Sequence, residues 1–165
     1  MVPLILLVVV FVPMLVEARV ATRNDRALRS AGAREPPDDV LRLMQVAYPA
    51  CFLAMVVEAW LRDSGVNLTF GAGAGLFALG KALKYWAIAT LGDRWSFRVL
   101  VPPHSTRIVA GPYKFLRHPN YVGVAGELAG VALMAQAPVA GIASIAGFGA
   151  LMMQRIRVEE RELRM

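Results

Sequence analysis

Residues 123–153, GVAGELAGVALMAQAPVAGIASIAGFGALMM, decide the fold. Their one charged side chain is Glu127, and Gln136-Ala137-Pro138 divides them into two apolar arms, with the proline near the start of the second, where a helix tolerates it. An apolar stretch of this length is read as membrane helix, and the break makes it a helical hairpin of two short spans. Gly123, Gly126, Gly130, Gly141, Gly147 and Gly149 lie along it and allow helices to approach closely. An intramembrane carboxylate such as Glu127 is either a functional group or a partner for another helix.

The same reading extends outward. Residues 2–16 carry no charge and 43–60 carry only Glu58, while the whole chain is 57% hydrophobic and 18% charged. That balance belongs to lipid rather than water. Spans are predicted at 2–18, 43–60, 68–91, 121–135 and 139–154, giving an all-α integral membrane protein of five transmembrane helices. It is a single domain over 1–165: residues 1–91 supply three N-terminal spans, and 92–165 supply a loop, the hairpin and a C-terminal helix.

The net charge of +6 does not point to nucleic acid, because the positives fall between spans without interleaved aromatics. Arg19, Arg23, Arg26, Arg29, Arg34 and Arg42 follow the first span. Arg94, Arg98, Arg107, Lys114 and Arg117 follow the third, and Arg155, Arg157, Arg161 and Arg164 close the chain. Residues 62–67 hold only Arg62 and Asp63. The positive-inside rule puts every basic segment in the cytoplasm, with the N-terminus outside and the C-terminus inside. Val16-Glu17-Ala18 loosely fits a leader cleavage site, yet no Lys or Arg precedes the apolar run, so the segment reads as an anchor.

Several features take the plainer reading. Cys51 is one thiol in an apolar run, which allows neither a disulfide framework nor a zinc site and leaves packing. Gly71, Gly73 and Gly75 follow no strand and so suit helix packing rather than a nucleotide loop. Lys81 and Lys84 share a helix face and are expected near the cytoplasmic end or against a polar cavity. Asn67-Leu68-Thr69 has the form of a glycosylation acceptor but sits too close to the membrane to serve.

Chemistry-bearing residues gather in 93–121 and 154–165, which the hairpin brings to one end. The first holds both histidines, His104 and His118, with Trp95, Tyr113 and the run GPYKFLRHPNY at 111–121. The second holds Arg155-Ile-Arg-Val-Glu159-Glu160, in which Arg155 and Glu159 are four apart and project from one helix face.

RHPNY, an apolar hairpin and then RIRVEE resembles the isoprenylcysteine carboxyl methyltransferase family, which includes the phospholipid methyltransferases. The likeness is close over about the last 75 residues and extends to the earlier spans in hydropathy. VEARVATRNDRALRSAGA and LGDRWSFRVLVPP further resemble the short members found beside type III polyketide synthases. The chain stops at Met165, short of the aromatic-rich segment that closes over the cofactor in the carboxyl methyltransferases proper.

The resemblance implies S-adenosylmethionine as cofactor and a lipophilic small-molecule acceptor entering from the bilayer between helices. Such a cofactor needs a carboxylate for its amino group, donors for its carboxylate and an apolar or aromatic wall. By resemblance Tyr113, His118, Pro119, Asn120 and Tyr121, with Ser105, Thr106, Arg107 and Ile108, line that pocket. Glu159 holds the amino group and Arg98 sits at the edge. Arg155 is the catalytic residue facing the acceptor. The acceptor ranks as an oxygen of an alkyl polyketide, then a prenylcysteine carboxylate, then a phospholipid amine. The competing class is a non-enzymatic membrane assembly subunit that retains the hairpin.

Overall fold

The computed structural model describes residues 1–35, 40–100 and 108–162. Five helices account for most of them: α1 (Val2–Ser30), α2 (Leu41–Leu61), α3 (Leu68–Leu91), α4 (Pro119–Ala135) and α5 (Pro138–Glu162). Short 3-10 turns lie at Gly92–Arg94 and Gly111–Lys114. The fold is all-helical, as the hydropathy pattern predicts.

Local chemistry sets the helix ends. Asn67 caps α3 by accepting the Phe70 amide at 3.0 Å. Pro119 and Pro138 open α4 and α5, where no intrahelical amide is needed. Between them Gln136 takes the left-handed conformation, φ 50°, so the hairpin turns through Gln136 and Ala137 alone. Glu58 of α2 accepts the Ala140 amide at 2.6 Å and the Val139 amide at 3.3 Å. A carboxylate is thereby set against the positive end of α5.

Two of the predicted spans lie within longer helices. α1 continues through its arginines to Ser30, and α5 is one helix of 25 residues that carries both the second hairpin arm and the C-terminal motif. No proline or glycine break separates those parts. α1, α2 and α5 are each long and apolar enough to cross a membrane. α3 contains Lys81 and Lys84, and α4 has only 17 residues, so neither qualifies on its own sequence.

Those two helices instead form the tightest pair in the bundle. Gly73 and Gly80 of α3 lie against Gly130 and Gly123 of α4 so closely that a Cβ on Gly73 would stand 2.6 Å from the Gly130 carbonyl. A Cβ on Gly80 would stand 2.8 Å from the Gly123 carbonyl. The glycines of the first hairpin arm thus serve contact with α3, whereas Gly71, Gly75, Gly147 and Gly149 face open space. α4 also packs on α2 and α5, and α1 on α2 and α4. The core holds Leu6, Phe52, Met55, Leu128, Val131 and Phe148, with the Tyr48 ring 4.9 Å from Phe52 and 5.0 Å from Phe148. Outside, Leu4, Val8, Leu53, Trp60, Ile142 and Met153 are exposed, an apolar surface suited to lipid.

Inside that shell lies a neutral quartet of charges. Lys81 reaches Glu17 at 2.7 Å and Glu127 at 2.9 Å, and Lys84 reaches Glu17 at 2.6 Å and Glu127 at 3.3 Å. Tyr48 donates to Glu127 at 2.7 Å. All four ions are buried, and they join α1, α3 and α4, with α2 attached through the tyrosine. Glu127 therefore serves as a helix partner, and both lysines face carboxylates.

The two ends of the bundle differ. At one, Ser64 donates to the Ala135 carbonyl at 2.7 Å and Gln136 to the Gly65 carbonyl at 2.7 Å, joining the 62–67 connection to the hairpin turn. At the other, the arginine-rich end of α1, residues 92–98 and the end of α5 come together.

Removing one member of a buried ion pair leaves a charge unmatched, which costs about 3–5 kcal/mol. Glu127→Gln should lower the thermal midpoint in detergent strongly, and Glu127→Gln with Lys84→Met should lose less than the two singles added together. Additive losses would show that the quartet is not a coupled unit. Gly130→Ala should likewise destabilise, by about 1–3 kcal/mol, through overpacking against Phe77, while Gly147→Ala should be near neutral. Circular-dichroism melts of both variants check the α3–α4 interface.

Candidate active site

The first turn of α4 and the last turns of α5 converge at the basic end of the bundle. His118 and Tyr121 stand at the start of α4, and Arg155, Glu159 and Glu160 on α5 face them. Tyr121 donates its hydroxyl to Glu159 and receives a bond from the Arg155 Nε at 3.1 Å. Arg155 also lies 3.5 Å from Glu159 along its own helix, and its Nη2 donates to the Phe97 carbonyl. The four-residue spacing of Arg155 and Glu159 therefore does bring them onto one face. Arg155 is 4% exposed, whereas the Glu159 side chain keeps 25% of its surface open.

His118 sits between two carboxylates, with Nε2 at 3.2 Å from Glu160 and Nδ1 at 3.6 Å from Glu159. Bonding to Glu159 above all, with Glu160 adding, raises its pKa against the opposing pull of burial. Arg117 stands 3.7 Å from Glu160 at the outer edge. Tyr113 lies on the Gly111–Lys114 turn, and burial, reinforced by the Glu159 charge, pushes its hydroxyl up to about 12, so it stays a neutral phenol. Gly111 begins that turn at φ +51°, and a Cβ there would run into Thr90 of α3, so only glycine fits.

The remaining predicted positions separate into three groups. Pro119 is buried in the first turn of α4, and the Asn120 Oδ1 is buried with no hydrogen-bond partner among the described residues. Ile108 is partly exposed. Ser105, Thr106 and Arg107, together with His104, lie outside the described residues. Arg98 follows the carbonyl that receives Arg155, but its own guanidinium is held by Asp25 at 3.2 Å and by Glu35.

That last pairing belongs to a clamp. Asn24 donates to the Trp95 carbonyl at 2.8 Å and to the Gly92 carbonyl at 3.2 Å, and Asp25 accepts from Ser96. Arg23 pairs with Asp93 at 3.2 Å, and Glu35 is shared between Arg29 and Arg98. The end of α1 thus fixes residues 92–98, and these present the Phe97 carbonyl to Arg155. In the sequence, 19–42 carries a topology signal and part of the subgroup resemblance, and Glu160 belongs to the motif without a role of its own, while Asn24, Asp25 and Glu35 go unassigned. Asn24-Asp25, set inside a run that continues the first helix, was the available signal.

Residues 73–165 match the isoprenylcysteine carboxyl methyltransferase (ICMT) family. Two similar bacterial proteins have been described only as uncharacterized. YpbQ of Bacillus subtilis is 28% identical over 96% of this chain and 95% of its own length. A Haemophilus influenzae protein is 25% identical over 86% of this chain and 83% of its own. No solved structure matches the chain.

The raised pKa of His118 has a defined sign. Its pairing with Glu159 and Glu160 contributes fully below the unfolded value of 6.5 and is lost as pH rises through the higher folded value. The thermal midpoint of the protein should therefore exceed that of His118→Gln most at mildly acidic pH, and the gap should close toward alkaline pH. A gap independent of pH would mean that the imidazolium is not what the two carboxylates hold.

Proposed function

The chain belongs to the isoprenylcysteine carboxyl methyltransferase family, and from that premise we propose that this membrane methyltransferase moves the methyl group of S-adenosylmethionine to an oxygen of a lipophilic acceptor, foremost an alkyl polyketide. The observation that carries the reading is the convergence of His118, Tyr121, Arg155 and Glu159 from two helices onto one bundle end.

The residues suit the cofactor. Glu159 offers a partly open carboxylate for an ammonium, Tyr113 and Tyr121 offer aromatic walls, and the unpartnered Asn120 Oδ1 offers an acceptor. When bound, the sulfonium supplies an electrophilic methyl for in-line displacement. The protein's work is then positioning and exclusion of water. Glu159 holds the amino-acid head, with Ser105, Thr106, Arg107, Ile108 and Pro119 completing the surround and Arg98, gripped by Asp25 and Glu35, at its edge. Arg155, seated by the Phe97 carbonyl and the Tyr121 hydroxyl, is assigned to the acceptor side, where its charge would favour an unprotonated phenolate or carboxylate oxygen.

All five helices are proposed to cross the bilayer, α3 and α4 as a pair whose charges face each other and α1. The arginine-rich end is taken as cytoplasmic, the N-terminus as external, and the acceptor as arriving between helices from the lipid. A prenylcysteine carboxylate and a phospholipid amine rank second and third as acceptors.

Calorimetry with adenosylhomocysteine in detergent tests the reading. Binding to the native protein should weaken by about 1.5–3 kcal/mol in His118→Ala and Glu159→Gln, because each removes a polar partner in a partly closed site. Arg155→Lys should bind the ligand nearly normally while turnover falls about tenfold or more. No heat from the folded native protein at millimolar ligand would favour the assembly-subunit alternative.

A further inference from the structure

α1 has two faces. Val2, Leu6, Val10, Glu17, Ala21, Asn24 and Leu28 are buried against the bundle. The opposite face is exposed over the whole helix: Leu4, Val8, Val12 and Leu15, each more than half accessible, and then Arg19, Thr22 and Arg26. Steps of three and four residues keep these positions in one stripe. The stripe passes from apolar to basic without a break.

Around the change of character, Leu15, Ala18, Arg19, Thr22, Arg23 and Arg26 wall a shallow open groove of ≈ 430 Å³. Its floor is small, being Ala18 and Thr22, and the Thr22 hydroxyl is turned onto the Ala18 carbonyl at 2.8 Å. The arginines of this helix are not equivalent. Arg23 is drawn to Asp93 at the groove's edge and Arg29 is tied to Glu35 farther along. Arg19 and Arg26 have no carboxylate partner among the described residues. They lie seven positions apart, about 10 Å along the axis, at either end of the small floor.

We propose that this face of α1 is a binding site for one anionic phospholipid. The phosphate sits over Ala18 and Thr22 between the forks of Arg19 and Arg26, and an acyl chain runs along Leu15, Val12, Val8 and Leu4. Guanidinium forks suit phosphate oxygens, and two unmatched cations at the end of an apolar stripe suit a ligand with a charged head and a greasy tail. A soluble anion would leave the apolar half of the stripe unused. A second copy of this chain would set arginine against arginine across a two-fold axis, in a protein already at +6. Since the other face of α1 carries Glu17 and Asn24, a lipid here steadies the helix that holds the quartet and the 92–98 clamp. The inference requires membrane residence but no particular enzymatic activity.

The test compares the full chain in nanodiscs of phosphatidylcholine with and without phosphatidylglycerol, alongside native mass spectrometry of retained lipid in detergent. Phosphatidylglycerol should raise the thermal midpoint of the native protein and be retained as one copy. Arg19→Gln with Arg26→Gln should abolish the rise and weaken retention by at least about tenfold, since both charge-assisted forks to the phosphate are removed. Thr22→Phe, which fills the floor and leaves every arginine in place, should do the same. Arg42→Gln, which removes an exposed arginine of α2, should not. Equal loss in Arg42→Gln, full retention in Thr22→Phe, or no response to phosphatidylglycerol would overturn the proposal, as would a dimer that shields Arg19 and Arg26.

Discussion

Four charges buried between helices in an apolar surround have few stable arrangements, and the rest of this structure follows from the one they take. Each isolated ion would carry a large desolvation penalty, so Glu17, Lys81, Lys84 and Glu127 must meet as a neutral set or not be buried at all. Meeting fixes the axial register of α1 against α3 and of α3 against α4. The glycines at 73, 80, 123 and 130 permit this by bringing the α3 and α4 backbones together, so that lysines and carboxylates one to two turns along can reach each other. The Tyr48 hydroxyl then binds α2 to the same point. Without a hydrophobic drive between helices in lipid, close packing and polar pairing are the forces left, and both are concentrated here.

Register propagates along α1 to the candidate site. With Glu17 anchored, Asn24 and Asp25 fall two turns farther on, beside residues 92–98, where side-chain bonds add to the single 3-10 turn at Gly92–Arg94. The Phe97 carbonyl then fixes Arg155, which in turn touches Tyr121 and Glu159. α5 serves both ends of the molecule, with Glu58 against its N-terminus and the candidate site residues at its C-terminus.

The sequence made the helices readable because hydropathy and turn chemistry are local: the five elements, the Gln136-Ala137-Pro138 turn and the meeting of 118–121 with 155–160 were all accessible from the chain. Features that depend on pairing at long range were not. Glu17 stands 64 residues from Lys81, and nothing in its neighbourhood distinguishes a buried anion from the flank of an anchor. Lys81 and Lys84 could be placed on one face but not matched with partners. Of Gly71, Gly73 and Gly75, only Gly73 meets another helix, and which residue of such a run does so is settled by rotation of the helix in the assembled bundle. The resemblance puts Arg98 at the edge of the cofactor pocket, but only the fold brings Asp25 and Glu35 onto its guanidinium.

The family match covers 73–165, yet the geometry makes residues 1–72 part of the same working unit. Transfer of a methyl group makes modest demands on acid–base chemistry and severe demands on alignment, since small displacements of the reacting atoms cost much of the rate. Arg155 is aligned by a carbonyl on a short segment that has no ladder or long helix of its own. That segment is held by α1, and α1 is held by the quartet. A bundle of α3, α4 and α5 alone would keep the motif residues but would lack Glu17 against the two lysines and the clamp behind Phe97. The position of the candidate site in the bundle is therefore a property of all five helices, even though its candidate residues are confined to the last part of the chain.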